Sequence, residues 1–426
     1  MGRMSRSFFR IAAASALAAA FSACSPAAPT MAPAVTPVST AAALPPAALP
    51  TPTTPPAGPT VTSASPAAGV RAEWDRLLGE HVILISLMSG AGMGGRSAEF
   101  DAYLEMLDAN SVDMADYVGS IYGESAGATF LEFWLEHTGE VVDYIEALEE
   151  GNSDQAEHAL EELVEYAFEL GDFFEEINPN IRSAELSGRV EAHVNGLQSM
   201  IEGYAANDPA RTYPALRRAY KHMDELALAL ALGTAAQFPD TYGGSPDGPA
   251  ADARAALNQL LQEHVGLAFA ATGAALGGRT AEFNAAAAEI NANAADLAAL
   301  ITLLYGESVG EQFLNSWAEH VNILVEYTTA VAQGDSGKAD LAQLEMTTYA
   351  TDFGALINKV NPLLWADGVR ELFKMHGMVL VEIVDAQAAG DHAAAAAALH
   401  RGLSQMGLIA DPFAEAFVLQ SPDLFR

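Results

Sequence analysis

From Val70 onward, apolar residues recur at three- and four-residue intervals almost without interruption. That spacing lays one stripe along an α-helix. Trp74, Leu77, Leu78, His81, Ile85 and Met88 make the first stripe; Tyr103, Leu107, Asn110, Met114, Tyr117 and Ile121 make the second. Between them lies Ser89-Gly-Ala-Gly-Met-Gly-Gly-Arg96. Short glycine-bearing breaks join antiparallel helices, so this unit is predicted to be an αα-hairpin. Similar breaks fall at Gly151-Asn-Ser-Asp154, Asn207-Asp-Pro209, Gly277-Gly278, Gly334-Asp335 and Gly390-Asp391, while Asn178-Pro-Asn180 and Asn361-Pro362 separate successive units. The pattern predicts an all-α fold of six hairpins. It contains no strand-rich segment and no Rossmann-like pattern, since the Gly90–Gly95 run follows a helical stripe and not a strand.

The hairpins are copies of one another. His81, His137 and His193 are 56 residues apart, as are His264, His320 and His376, and the two sets are offset by 183 residues. The surrounding blocks repeat at the same offset. Gly95-Arg-Ser-Ala-Glu-Phe100 answers Gly278-Arg-Thr-Ala-Glu-Phe283, and Tyr122-Gly-Glu-Ser answers Tyr305-Gly-Glu-Ser. Fixed-period self-similarity marks repeated supersecondary units. Two tandem domains are predicted, 71–242 and 250–426, each of three hairpins or about six helices. A linker, Pro239–Pro249, lies between them. Each domain is of ordinary size and is expected to fold separately.

Upstream of the periodic region the chain changes character. Arginines at positions 3, 6 and 10 precede an apolar run from Ile11 to Phe21 and then Ser22-Ala23-Cys24-Ser25. A basic start, a short apolar core and a small-residue cleavage site predict an export signal over residues 1–23, too short for a membrane span. Cys24, the single cysteine, stands at the expected lipidation position, as in the bacterial lipobox, with Phe21 a less usual residue three before it. One cysteine also excludes an intrachain disulfide. Twelve of the 21 prolines lie between Pro26 and Pro66, and no charge occurs from Ile11 to Val70. Residues 24–70 are therefore expected to be a disordered Pro/Ala/Thr tether. These features predict an exported, membrane-anchored bacterial lipoprotein on the extracytoplasmic, periplasmic side, touching the membrane through its N-terminal lipid alone.

After position 70 the chain carries 17 basic residues against 55 acidic ones, a net of −38. Nucleic acid and anionic lipid surfaces are repelled by such a field. Cations are concentrated near it, although a solvated acidic face that keeps an alanine-rich protein soluble accounts for the same composition.

Chemistry is concentrated at the repeated histidines, each on the apolar face of its helix. Reflecting each through its turn gives a facing position 29 residues later: Asn110, Tyr166, His222, Asn293, Tyr349 and Gln405. In a hairpin with equal arms these share a level along the axis. Buried polar groups need partners, so the layer is satisfied by itself, by water or by an ion. Neutral imidazole is the commonest metal ligand, and three of them suit zinc or copper with an open position. His81, His137, His193, His222, His264, His320 and His376 are the candidate ligands; Asn110, Tyr166, Asn293, Tyr349 and Gln405 are candidate supporting groups. Met88, Met200, Met223, Met375 and Met378 lie near the histidines in sequence and suit Cu(I), or serve as core filler. The ligands meet only if three hairpins close around a common axis; stacked as a solenoid, they form a row. Glu80, Glu136, Glu263 and Glu319, one step off the stripe, are expected to face solvent, and Glu124 and Glu307 to charge helix starts. No Glu-x-x-His pair of the di-iron bundles occurs, and the Gly-x-Ser-x-Gly spelling at Gly123–Gly127 and Gly306–Gly310 lies in a connector between helical stripes with no strand before it. No catalytic residue is therefore assigned.

The blocks Glu-His-Val at 80–82 and 263–265, Tyr-Gly-Glu-Ser, Trp-x-Glu-His and Ala219-Tyr-Lys-His-Met223 resemble a tandem helical domain of secreted bacterial proteins often described as copper amine oxidase-like. The resemblance covers most of residues 71–426 and implies a helical fold and an association with copper. No quinone-forming context and no β-rich catalytic domain accompany it, so no oxidase activity is implied. The second half departs from the first in having Gln405 where the first has His222. The expected function is a lipid-anchored binding protein with a histidine-lined site in each domain, for a metal ion (copper or zinc) or a small ligand. The alternative is a structural or interaction module of the envelope whose histidine layer is a buried hydrogen-bond network.

Overall fold

The computed structural model describes residues 61–426. The predicted export signal, Cys24 and residues 24–60 of the tether lie outside the described residues. Twelve α-helices and a terminal 3-10 turn account for nearly all of the described chain, and no strand occurs in it. The first six helices are α1 (Pro66–Met93), α2 (Ser97–Tyr122), α3 (Glu124–Glu150), α4 (Ser153–Ile177), α5 (Ser183–Ala205) and α6 (Pro209–Gln237). They are followed by α7 (Pro249–Leu276), α8 (Thr280–Tyr305), α9 (Glu307–Gln333), α10 (Ser336–Val360), α11 (Ala366–Ala389) and α12 (His392–Gln420). The first helix begins at Pro66, inside the stretch expected to be tether. Pro66 is well placed in a first turn, and Ser65 caps it by accepting from the Ala68 N–H.

Local chemistry sets the helix ends. α4, α6, α10 and α12 begin on Asn152, Asp208, Asp335 and Asp391, each side chain accepting from the backbone N–H three residues on. α3, α9 and α11 end on the left-handed glycines Gly151, Gly334 and Gly390, with φ of 69°, 67° and 69°. The breaks between units carry a second repeated device. The Asn178 side-chain amide donates to the Tyr122 hydroxyl (3.0 Å), which bonds Thr234 on α6 (2.8 Å). The Asn361 amide likewise donates to Tyr305 (3.1 Å) and to the Ala416 carbonyl (2.9 Å). Each Tyr–Asn clamp ties the end of one hairpin to the loop after the next.

Neighbouring helices pack in sequence order in each half, and α6 returns to pack on α1, as α12 does on α7. Each half is thus a closed ring of three hairpins and not a solenoid. Ring closure in the first half needs a close approach: a Cβ on Gly79 would stand 2.7 Å from the Tyr220 ring of α6. Because the hairpins close, α1, α3 and α5 also touch one another inside the first ring, and α7, α9 and α11 inside the second. All three inner helices of a ring run the same way, so their equivalent residues share one level.

The two rings share one buried core. α1 packs on α7, flanked by α2 against α12 and α6 against α8. In α1, 21 of 28 residues are buried, which is too many for one face. The helix has two stripes: Trp74, Leu78, His81, Ile85 and Met88 face the ring interior, while Arg76, Glu80, Ile83, Leu87 and Gly90 meet the other half. Gly266 of α7 lets the helices approach, since a Cβ there would stand 2.6 Å from Ile83. The contact is a pseudo-twofold one. Glu263 receives a two-pronged bond from Arg217 (2.9 and 2.9 Å), and its counterpart Glu80 receives His400, the counterpart of Arg217 (2.7 Å). The linker after α6 folds back over the start of α1, where the Arg71 guanidinium donates to the Pro246 carbonyl and ion-pairs with Asp224 and Asp252. Among the described residues α8 alone is long and apolar enough to cross a membrane, and it packs on α6, α7 and α9.

Candidate metal centre

The ring closure brings the repeated histidines together. His81, His137 and His193 lie with ring centroids 5.5, 5.6 and 5.9 Å apart. For His264, His320 and His376 the separations are 5.1, 6.0 and 6.3 Å. In each triad one ring nitrogen per residue lies within 4.8 Å of the others, and all six side chains are buried. A trigonal or tetrahedral ion bound by three imidazoles at about 2.0 Å holds its donor nitrogens about 3.3–3.5 Å apart. Movements of about an ångström bring either triad to that size, and His264 Nε2 and His320 Nε2 already stand 3.2 Å apart.

The aromatic repeat packs around these rings. Trp134 stands 5.0 Å from His81 and 5.3 Å from His137, and Tyr166 stacks on His137 at 4.7 Å. In the second half Trp317 lies 5.2 Å from His264 and 4.6 Å from His320, with Tyr349 stacked on His320 at 5.3 Å. Burial in this apolar surround disfavours the charged imidazolium. It lowers the pKa of His137 to about 4, of His376 to about 4 and of His320 to about 3, the last also depressed by His376. Burial, joined by the two neighbouring histidines, holds His81 and His264 well below the usual imidazole range. Burial, with His137 and His222 beside it, does the same for His193. All six are neutral at pH 7, the form in which imidazole binds a metal.

The layer is short of hydrogen bonds. Both ring nitrogens of His81, His137 and His193 are buried without a protein partner, as are Nδ1 of His264, His320 and His376. Unsatisfied buried polar atoms cost about 1–3 kcal/mol each. In the first half six such nitrogens gather at one level, and an ion held by one nitrogen of each ring would take up three of them.

The facing positions divide into two groups. The Asn110 amide donates to the Leu77 carbonyl (3.1 Å) and the Asn293 amide to the Leu260 carbonyl (2.9 Å), in each case four residues before the histidine opposite. His222 does the same with Arg189, four residues before His193 (2.9 Å), and its Nδ1 faces Glu225 at 3.5 Å. His222 therefore bolts the third hairpin together and is not a member of the triad. Tyr166, Tyr349 and Gln405 are buried at the histidine level, as expected, and each keeps a side-chain oxygen without a hydrogen-bond partner.

Two further expectations change. Glu80 and Glu263 face the other half of the protein, not solvent, and Glu263 also accepts from the Asn293 amide (2.6 Å), so one triad's supporting layer is tied to the seam between halves. Glu136 and Glu319 do face solvent. Of the methionines, Met375 and Met378 are on the outer surface and take no part in the site, while Met88, Met200 and Met223 are core residues. Sequence reasoning missed Trp134 and Trp317 as walls of the site, although the Trp-x-x-His spacing places each one helical turn before a histidine.

Compared with known proteins, the chain matches no family model, no curated protein and no solved structure. The geometry of the two triads is what bears on function.

Proposed function

We propose that this chain is an extracytoplasmic metal-binding protein, tethered by lipid at Cys24, that holds one copper or zinc ion in each half. The observation that carries the reading is the pair of buried histidine triads, each with neutral imidazoles within 4.8 Å of one another. Three imidazoles with one position open make a coordination both metals accept, and the copper association implied by the resemblance above favours copper. The acidic surface favours the arrival of cations. The export signal and tether are the reason to place the protein outside the cytoplasm.

A second reading has one observation in its favour. The His264–His320 contact at 3.2 Å is a hydrogen bond when one ring donates and the other accepts, so the second layer is partly satisfied without an ion. On that reading the histidines serve only fold specificity.

Dialysis of the metal-free protein against Zn(II), or against Cu(I) under reducing conditions, separates the two. Metal binding gives two ions per chain in the wild type, and one each in His137→Ala and His320→Ala. A structural layer gives none, and the same substitutions then destabilise by about 1–3 kcal/mol with no response to metal.

A further inference from the structure

The two halves differ on the side of the triad toward which the histidines lean. Side chains on a helix tilt toward its N-terminus. The imidazoles of α1, α3 and α5 therefore lean toward the layer one turn earlier. There the first half has a cavity of about 20 Å³, walled by Leu78, Trp134, Leu170 and Val190 and reaching His137 and His193. That is room for about one water-sized molecule. The Tyr166 hydroxyl and Trp134 Nε1 belong to residues lining the same cavity, and both are buried donors without a partner.

At the equivalent positions of the second half, Phe353 replaces Leu170 and Phe373 replaces Val190. Their rings pack 4.4 Å apart, and each lies 6.2 Å from Trp317. Phe373 also stands 6.4 Å from His376. The space next to the second triad is thus filled by two rings that the first half lacks. Where the first half is larger, at Trp74 and Phe174 against Leu257 and Ile357, the residues line the far end of the same cavity, two turns from the histidine level.

Resting on the metal reading above, we infer that the two centres are not equivalent. The first is an open centre that takes a small neutral diatomic molecule of the dioxygen type as its fourth ligand; the second is closed by Phe353 and Phe373. An apolar wall admits such a molecule and disfavours an anion, whose desolvation it cannot offset. The outer atom of the diatomic accepts hydrogen bonds from Tyr166 and Trp134, which supplies the partners those donors lack.

Carbon monoxide tests this on the Cu(I)-loaded full-length protein, with copper and CO counted in the same sample by elemental analysis and infrared absorption. The expected result is two copper ions and one CO per chain. Leu170→Phe, alone and combined with Val190→Phe, abolishes CO binding while both copper ions remain. Phe353→Leu with Phe373→Val raises CO to two per chain. Two CO molecules on the wild type, or none with two copper ions bound, overturn the inference and leave the metal reading intact. An absence of bound copper overturns the inference, and an absence of bound zinc as well overturns the metal reading.

Discussion

Cutting the chain at the linker uncovers one face of α1, and the size of that face decides the fate of the fragment. An isolated first half, residues 61–242, exposes Ile83, Leu87 and Tyr103. In the whole protein these pack near Gly266 and Phe269 of the other half, with Tyr103 centred 6.0 Å from Phe269. Re-exposing apolar side chains of this size costs about 1.5–3 kcal/mol each. Three of them cost roughly 4–9 kcal/mol by that rule, much of the 5–15 kcal/mol by which a domain is stable. Glu80, fully buried, also loses His400. The pseudo-twofold seam offers a replacement. Arg217 occupies in the first half the place His400 holds in the second, so two copies of the fragment can pair Glu80 with Arg217 twice over. The fragment is therefore expected to be a helical homodimer, with a denaturation midpoint that rises with concentration. Analytical ultracentrifugation reads the mass directly. Glu80→Arg should break the dimer, and Glu80→Arg with Arg217→Glu should restore it. A fragment that is monomeric at all concentrations, yet as stable as the whole chain, would show that the seam contributes little and refute this account of α1.

Further expectations concern acid, the bolt residue and the tether. The metal-free protein should lose stability as pH falls below about 6.5. Its six triad histidines have depressed folded pKa values, so the unfolded chain binds more protons there, with a slope approaching about 1.4 kcal/mol per pH unit per histidine. Asp75, whose pKa is raised well above the usual carboxylate range by burial and by Asp224, acts in the opposite sense. His400, raised chiefly by its bond to Glu80, also opposes the trend: its contribution is full below about pH 6.5 and is lost as pH rises through its folded value. A thermal midpoint unchanged between pH 7 and pH 5 contradicts the neutral triads. His222→Ala should leave metal stoichiometry unaltered and cost about 1 kcal/mol for its lost hydrogen bond to Arg189; loss of one metal ion would return His222 to the ligand set. Cys24→Ser should release the protein from membranes, and a wild-type mature chain without acyl groups at Cys24 would defeat the tether.

The hairpins were legible because helix period and glycine breaks are local properties, and the histidine ruler survives any reading of the packing. Ring closure was not legible. The same stripe serves a solenoid, and closure rests on fits between residues far apart in sequence, such as Tyr220 against Gly79 in the first ring, with no pattern to connect them. The run Val82-Ile83-Leu84-Ile85 did carry a sign of the seam, since four consecutive buried apolar residues cannot lie on one face of a helix. Glu80 and Glu263 look solvent-facing from spacing alone because their partners, His400 and Arg217, belong to the opposite half. His222 fits the polar level in one dimension. Its actual partner, the Arg189 carbonyl, is the counterpart of the carbonyls that Asn110 and Asn293 bond, a side-chain-to-backbone contact that the spacing of side chains does not show.

The most direct test of the two triads as metal centres is X-ray absorption at the metal edge of the protein loaded with two equivalents of Cu(I) or Zn(II). Three imidazole nitrogens per metal at about 2.0 Å, with the multiple-scattering signature of histidine rings, are predicted. A shell of oxygen ligands without that signature would place the ions on the acidic surface and contradict the account.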